Sequence, residues 1–140
     1  MKNLLRSSLA KGVVAVLLAY VLLVVLFESS LGFFQPENAS TLQISTTDAG
    51  GNINTRVLAR IESGGQLFVA ANHWPRAWYR EALVNPAVHI MSDSEEGNYV
   101  AVPIEGAAHD AVNAENSLGL LFRILTGFPP RYFLRLDPVD

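Results

Sequence analysis

From Gly12 to Phe27 the chain runs GVVAVLLAYVLLVVLF, sixteen residues whose only polar side-chain group is the Tyr20 hydroxyl. A helix rises about 1.5 Å per residue, so this run covers roughly 24 Å, slightly less than a hydrocarbon core of about 30 Å. Leu9 and Ala10 extend it on one side, and Leu31, Gly32, Phe33 and Phe34 resume apolar character after Glu28-Ser29-Ser30. Apolar residues surround the helix axis on all sides, which argues against a core helix buried by one stripe. A cleavable signal peptide shares this layout, with Ser30-Leu31-Gly32 as its small residues. Sixteen apolar residues exceed a usual signal core and no Ala-x-Ala follows, so the pattern predicts a retained transmembrane anchor within residues 1–34.

The pattern changes after a short polar linker at 35–40, which opens with Gln35-Pro36-Glu37-Asn38. Thr41 to Thr47 (TLQISTT) alternates and is rich in β-branched residues, which predicts a strand. Asp48 to Asn54 is a Gly-containing turn, Thr55 to Ile61 a second strand, Ser63-Gly64-Gly65 a tight turn, and Gln66 to Ala71 a third strand. That spacing predicts an antiparallel meander. Ala77 to Val84 reads as a short helix stopped by Asn85-Pro86, followed by a strand at Ala87–Met91. Ser92 to Asn98 is a polar hairpin loop, and Tyr99 to Ile104 a strand extended through Gly106–Ala108. Asp110 to Thr126 reads as one helix closed by Gly127 and Pro129-Pro130, and Tyr132 to Leu136 as the last strand. Six short strands with two interspersed helices predict a mainly-β or α+β domain over 41–140, a small barrel with helical caps.

Charge separates the same two regions. Lys2, Arg6 and Lys11 precede the span without an acid, and Glu28 is the first charge after it. The positive-inside rule therefore predicts a single-pass cell-membrane protein, its N-terminus cytoplasmic and its domain periplasmic or extracellular. From Gln35 onward there are seven Arg, no Lys and twelve Asp or Glu. An acidic domain of this kind argues against a nucleic-acid partner, because phosphate neutralisation needs clustered cations. The absence of cysteine excludes disulfides, thiolate metal sites and a cysteine nucleophile.

One run of motifs is more specific. Ala70-Ala71-Asn72, Pro75-Arg76-Ala77-Trp78-Tyr79 and Asn85-Pro86-Ala87-Val88 together resemble the deazaflavin-dependent nitroreductase and quinone-reductase family. Thr46-Thr47, Gly51 and Arg56 look like that family's Thr-Thr-Gly loop and following Arg, and Pro130 to Leu136 like its closing strand. The resemblance spans about residues 41 to 137 and implies a split β-barrel of the flavin-reductase type. It implies a cofactor, deazaflavin (coenzyme F420) or FMN, lying across the barrel and the following helix. It also implies hydride transfer to a quinone or a nitro compound, and a bilayer tether would suit a membrane quinone. By the same resemblance Thr47, Gly51 and Arg56 would meet the cofactor tail, and Ala71, Asn72, Trp78 and Tyr79 its ring. No side chain is needed as a catalytic acid or base, since hydride chemistry belongs to the cofactor. The loop Asp48 to Asn54 departs from the family pattern, carrying an acid and no base where a phosphate would sit.

The remaining chemistry is sparse. His89 lies between Val88 and Ile90, so period two turns it to the opposite, outward face. His109-Asp110 opens a helix, and Asp110 reads most simply as an N-cap. His73, beside Trp74 in the loop before the helix, is the best placed of the three histidines for a functional role. No His or carboxylate spacing suggests a metal site. Trp74, Trp78 and Tyr79 serve equally as a stacking platform or as packing between helix and barrel. Ser29, Ser30 and Ser40 lack a nucleophile context, and Asn38-Ala39-Ser40 is a glycosylation sequon with meaning only in a eukaryotic host. Two functions remain: a membrane-anchored deazaflavin- or flavin-dependent oxidoreductase, and a cofactor-free binding or accessory subunit of a membrane protein complex.

Overall fold

Alternation fixes the first strand. In β1 (Thr41–Thr47) the side chains of Leu42, Ile44 and Thr46 are fully buried while their neighbours are only partly covered. The computed structural model describes residues 2–31 (side chains from Ser8), 40–72, 74 and 76–139. His73, Pro75, the linker before Ser40, and Phe33 and Phe34 lie outside the described residues.

β1 pairs antiparallel with β2 (Ile53–Ala59), Thr47 opposite Ile53 and Thr41 opposite Ala59. The expected meander ends there. Arg60 alone separates β2 from β3 (Ile61–Ser63), and β3 pairs with β4 (Gln66–Ala71) instead of extending the first hairpin. The expected strand over 55–61 is therefore two strands on different edges. At the break the Arg60 amide donates to the Ser40 carbonyl (2.9 Å), and its guanidinium bridges Glu62 and Glu95. The full order is β2-β1-β5-β6-β7-β4-β3, with β5 (Ala87–Met91), β6 (Glu96–Ile104) and β7 (Tyr132–Pro138), all neighbours antiparallel. The two outermost strands are consecutive in the chain with one residue between them, so the sheet must curl until its edges meet. This is a split barrel.

The helices fill and cover it. α1 (Lys2–Leu31) precedes the barrel; α2 (Ala77–Val84) follows β4 as the sequence pattern predicts. The expected strand extension at Gly106–Ala108 is instead the start of α3 (Gly106–Glu115), because Gly106 turns the chain at φ 58°. The single helix expected over 110–126 is interrupted at Asn116–Gly119, and its apolar second half forms a separate α4 (Leu120–Leu125).

Two apolar clusters hold these elements. Inside the curl, Leu42, Ile44, Val69, Val88, Ile90 and Leu134 pack with Trp78 and Ala82 of α2. Outside it, Phe68, Ala70 and Phe133 pack under Val112 of α3. β4 and the first part of β7 are thus covered on both faces, which is why Leu67–Ala71 and Phe133–Leu134 read as continuous apolar runs. In α1, Ser8–Leu31 is long and apolar enough to cross a membrane, and none of it is buried by the domain.

Candidate functional site

Register places the first group of predicted residues. Ile44 is opposite Arg56 and Leu42 opposite Leu58, and directly opposed residues share a face, so Asn54, Arg56 and Leu58 line the inner side of β2. Between that face and α2 lies an open groove of about 250 Å³, lined by Asn54, Thr55, Arg56, Ala77, Trp78 and Glu81. Its floor is tied together by one carboxylate. Glu81 accepts from the buried Thr46 hydroxyl (2.6 Å) and from the Asn54 amide (3.2 Å), joining β1, β2 and α2. Glu81 is thereby committed, whereas the Arg56 side chain is exposed and makes no hydrogen bond or ion pair among the described residues. The groove offers a mobile-charge guanidinium beside an indole edge, which suits an anionic ligand with a flat apolar portion.

The adjoining hairpin loop does not fit a phosphate. Gly51 has φ 82°, the left-handed conformation a backbone anion nest uses. Its donors, however, are already engaged: the Gly50 and Asn52 amides donate to Asp48 Oδ1 (2.8 and 2.9 Å), and the Gly51 amide to the Asp48 carbonyl (3.0 Å). The Asn52 side chain holds both oxygens of the same carboxylate, and these bonds lower the Asp48 pKa below its usual 3.8. The nest carries its own anion. Thr47 and Gly51 lie on this loop and its stem, away from the ring residues.

The ring residues form a second group. Ala71 is buried in the inner core and Trp78 is buried with it. Asn72 accepts from Arg131 Nε at 2.8 Å. Tyr79 stacks on Tyr132 (5.5 Å between ring centroids), and burial, then the Tyr132 hydroxyl, raises its pKa above 10.0. The packing reading of Trp78 and Tyr79 therefore describes their contacts, with Trp78 alone also reaching the groove.

Several residues outside the expected cofactor set organise this end. Arg76 is buried at 5% exposure between Trp74 (4.0 Å) and Tyr132 (4.8 Å), and donates to the Pro130 carbonyl at 2.7 Å. Arg131 donates to Asn72, to Asn113 Oδ1 and to the Asn116 carbonyl, and lies over the Phe133 ring. Burial lowers its pKa, yet each bond is to a neutral acceptor. His109 meets Asp110 through Nδ1 and the Arg131 carbonyl through Nε2, both at 3.1 Å. His109, Asn113, Pro130 and Arg131 border a second cavity of about 330 Å³ that also reaches Arg123, Thr126 and Phe128. The arginines and Tyr132 sit within the motifs quoted for the resemblance; their joint role needs β4, α3 and β7 side by side. His89 points outward as period two predicts, 43% exposed. Among the described residues no group of His, Asp and Glu could hold a metal ion.

Comparison with known proteins places the fold. No protein-family model matches the chain, and no curated protein matches it either. Solved structures do. HutZ, the heme storage protein from Vibrio cholerae, is similar at TM-score 0.58 and 24% identity, over 74% of this chain and 84% of that one. An F420-H2-dependent reductase is similar at TM-score 0.54 and 16% identity, over 70% and 94% of the two chains. A pyridoxamine 5'-phosphate oxidase-related, FMN-binding protein from Nostoc punctiforme is similar at TM-score 0.50 and 18% identity, over 72% and 71%. The fold is the flavin-reductase-like split barrel.

Proposed function

We propose that this chain is a membrane-anchored oxidoreductase of the flavin-reductase-like fold, taking deazaflavin or FMN and passing hydride to a quinone or a nitro compound. The anchor is Ser8–Leu31, with the N-terminus cytoplasmic and the barrel on the opposite side. The observation that carries the reading is Arg56: an uncommitted cation on the inner face of β2, in a groove that also holds Trp78. Arg56 would bind the anionic tail, and Trp78 would meet the flat ring system at its edge. The cofactor supplies the redox chemistry; the protein holds and orients it. Structural kinship with an F420-H2-dependent reductase and an FMN-binding protein supports the same class of ligand.

A second reading is favoured by Asp48. Because that carboxylate already fills the hairpin's donors, the domain would serve as a cofactor-free binding or accessory subunit of a membrane protein complex. One experiment separates the two. Detergent-purified full chain is incubated with FMN and, separately, with F420, then desalted. Retained absorbance that is lost in Arg56→Ala supports the oxidoreductase; no retention of either cofactor refutes it and leaves the accessory subunit.

A further inference from the structure

α4 is short, apolar and open. Leu120, Leu121 and Phe128, just beyond its end, are 66%, 70% and 50% exposed, and Ile124 is 36% exposed. Phe128 holds a left-handed backbone (φ 54°) that costs a non-glycine residue energy, so its outward placement is maintained by the surrounding structure. From Asn116 to Leu136 the chain has three Arg and no Asp or Glu, although the domain as a whole is acidic.

The position of α4 along α1 says what covers this face. Tyr20 donates to the Ile124 carbonyl at 2.9 Å, Val24 lies against Gly127, and Phe27 meets Phe122 edge-on at 6.1 Å. Tyr20, Val24 and Phe27 form one stripe on α1, and all three lie within its apolar run. Residues 8–19, upstream of that contact, would cover only about 18 Å, against a hydrocarbon core of about 30 Å. A bilayer that accommodates the span therefore has to include the part of α1 beside α4.

The backbone is prepared for that depth. Water is absent from the hydrocarbon, so carbonyls there need internal partners. The Phe122 carbonyl accepts from the Thr126 amide and hydroxyl, Arg123 from the Phe128 amide, and Ile124 from the Gly127 amide and Tyr20. Three carbonyls of the last turn of α4 thus have partners within the protein.

We propose that α4 and Phe128 are a second membrane element: Leu120, Leu121, Ile124 and Phe128 insert into the bilayer leaflet beside α1 and hold the barrel against the lipid surface. The inference rests on the membrane anchor of the preceding subsection. Arg123, exposed and lying over the Phe128 ring at 5.3 Å, would have to extend its guanidinium along that ring toward the headgroups. The 330 Å³ cavity bounded by Arg123, Thr126 and Phe128 then adjoins the leaflet instead of bulk water.

The cysteine-free chain allows a direct test. Leu18→Cys, Leu120→Cys, Leu121→Cys and Val84→Cys are made singly in the full chain, labelled with bimane, and reconstituted into phosphatidylcholine–phosphatidylglycerol vesicles. All four positions are exposed in the protein, so the substitutions remove no core packing. Nitroxide on the lipid acyl chains should quench positions 18, 120 and 121 by half or more, and position 84 by less than a tenth. Quenching at 18 but not at 120 or 121 overturns the docking of α4 and leaves the anchor standing. No quenching at 18 overturns the anchor and this inference with it.

Discussion

Replacing Thr46 with valine tests how the groove is built. The side chain is fully buried, and its hydroxyl donates to Glu81 Oε2 at 2.6 Å from the middle of the inner core. Valine keeps the volume and the β-branched shape, so the change removes the hydroxyl's short bond to a charged acceptor and its longer contact with the Asn54 carbonyl (3.3 Å). Such a bond contributes about 1.5–3 kcal/mol when both partners are dry. Glu81 is half-buried and keeps the Asn54 amide, so water replaces part of the loss and the expected cost falls to about 1–2 kcal/mol. With a urea m-value of about 2 kcal/mol/M, the unfolding midpoint should drop by roughly 0.5–1 M. Tryptophan emission reports it, since Trp78 on α2 is buried against the same core. Glu81→Gln, which keeps an acceptor for Thr46, should cost less. In a double-mutant cycle with Glu81→Ala, which removes the acceptor, the pair should couple by about 0.5 kcal/mol or more. A midpoint shift below about 0.2 M, or strictly additive effects, would refute the claim that Glu81 is the tie between β1, β2 and α2.

Three further outcomes follow from the same contacts. Leu134→Ala, at a fully buried site shared by β7 and the inner core, should cost about 2–5 kcal/mol by the same urea assay, and a loss under 1 kcal/mol would mean the barrel is not packed there. The pKa of Asp48 is lower in the folded hairpin than in the unfolded chain, so its contribution is present above the unfolded value of 3.8 and fades as pH falls through the lower folded value. Stability in Asp48→Asn should therefore lose part of its acid sensitivity below about pH 4, and unchanged profiles in wild type and variant would count against the turn's role. Gly127→Ala and Gly64→Ala both place a side chain at positive φ (70° and 58°), a cost of about 1 kcal/mol, but only the first meets Val24 Cγ1, at 3.1 Å. Gly127→Ala should loosen α1 from α4, read as increased bimane mobility at position 121, while Gly64→Ala should leave that mobility unchanged.

The elements written in the sequence are those whose pattern is local. The apolar run needs only its own length and composition to make a helix long and apolar enough to cross a membrane. Thr41–Thr47, Gln66–Ala71, Ala77–Val84 and Ala87–Met91 form over the same residues in the structure, because alternation, β-branching and the Asn-Pro stop act within a few positions. The acid in the Asp48 loop was legible too, as a missing base. What that acid does was not: only the folded turn puts three backbone amides around its carboxylate and carbonyl. Arg60 looks like one more strand residue, yet there the chain passes from one edge of the sheet to the other, where Arg60 meets Ser40 and Glu95 at a distance in sequence. Of the predicted ligand residues, register brought Arg56 to the groove beside Trp78, while packing drew Ala71, Asn72 and Tyr79 toward Arg131 and Tyr132. The apolar residues of 118–125 read as the second half of one long helix over 110–126. The break at Asn116–Gly119 turned them outward beside α1, and only that tertiary contact, a Tyr20 hydroxyl on the Ile124 carbonyl, sets where along α1 they lie. Periodicity is a property of neighbours in sequence; which edge, which groove and which stretch of α1 are decided by neighbours in space.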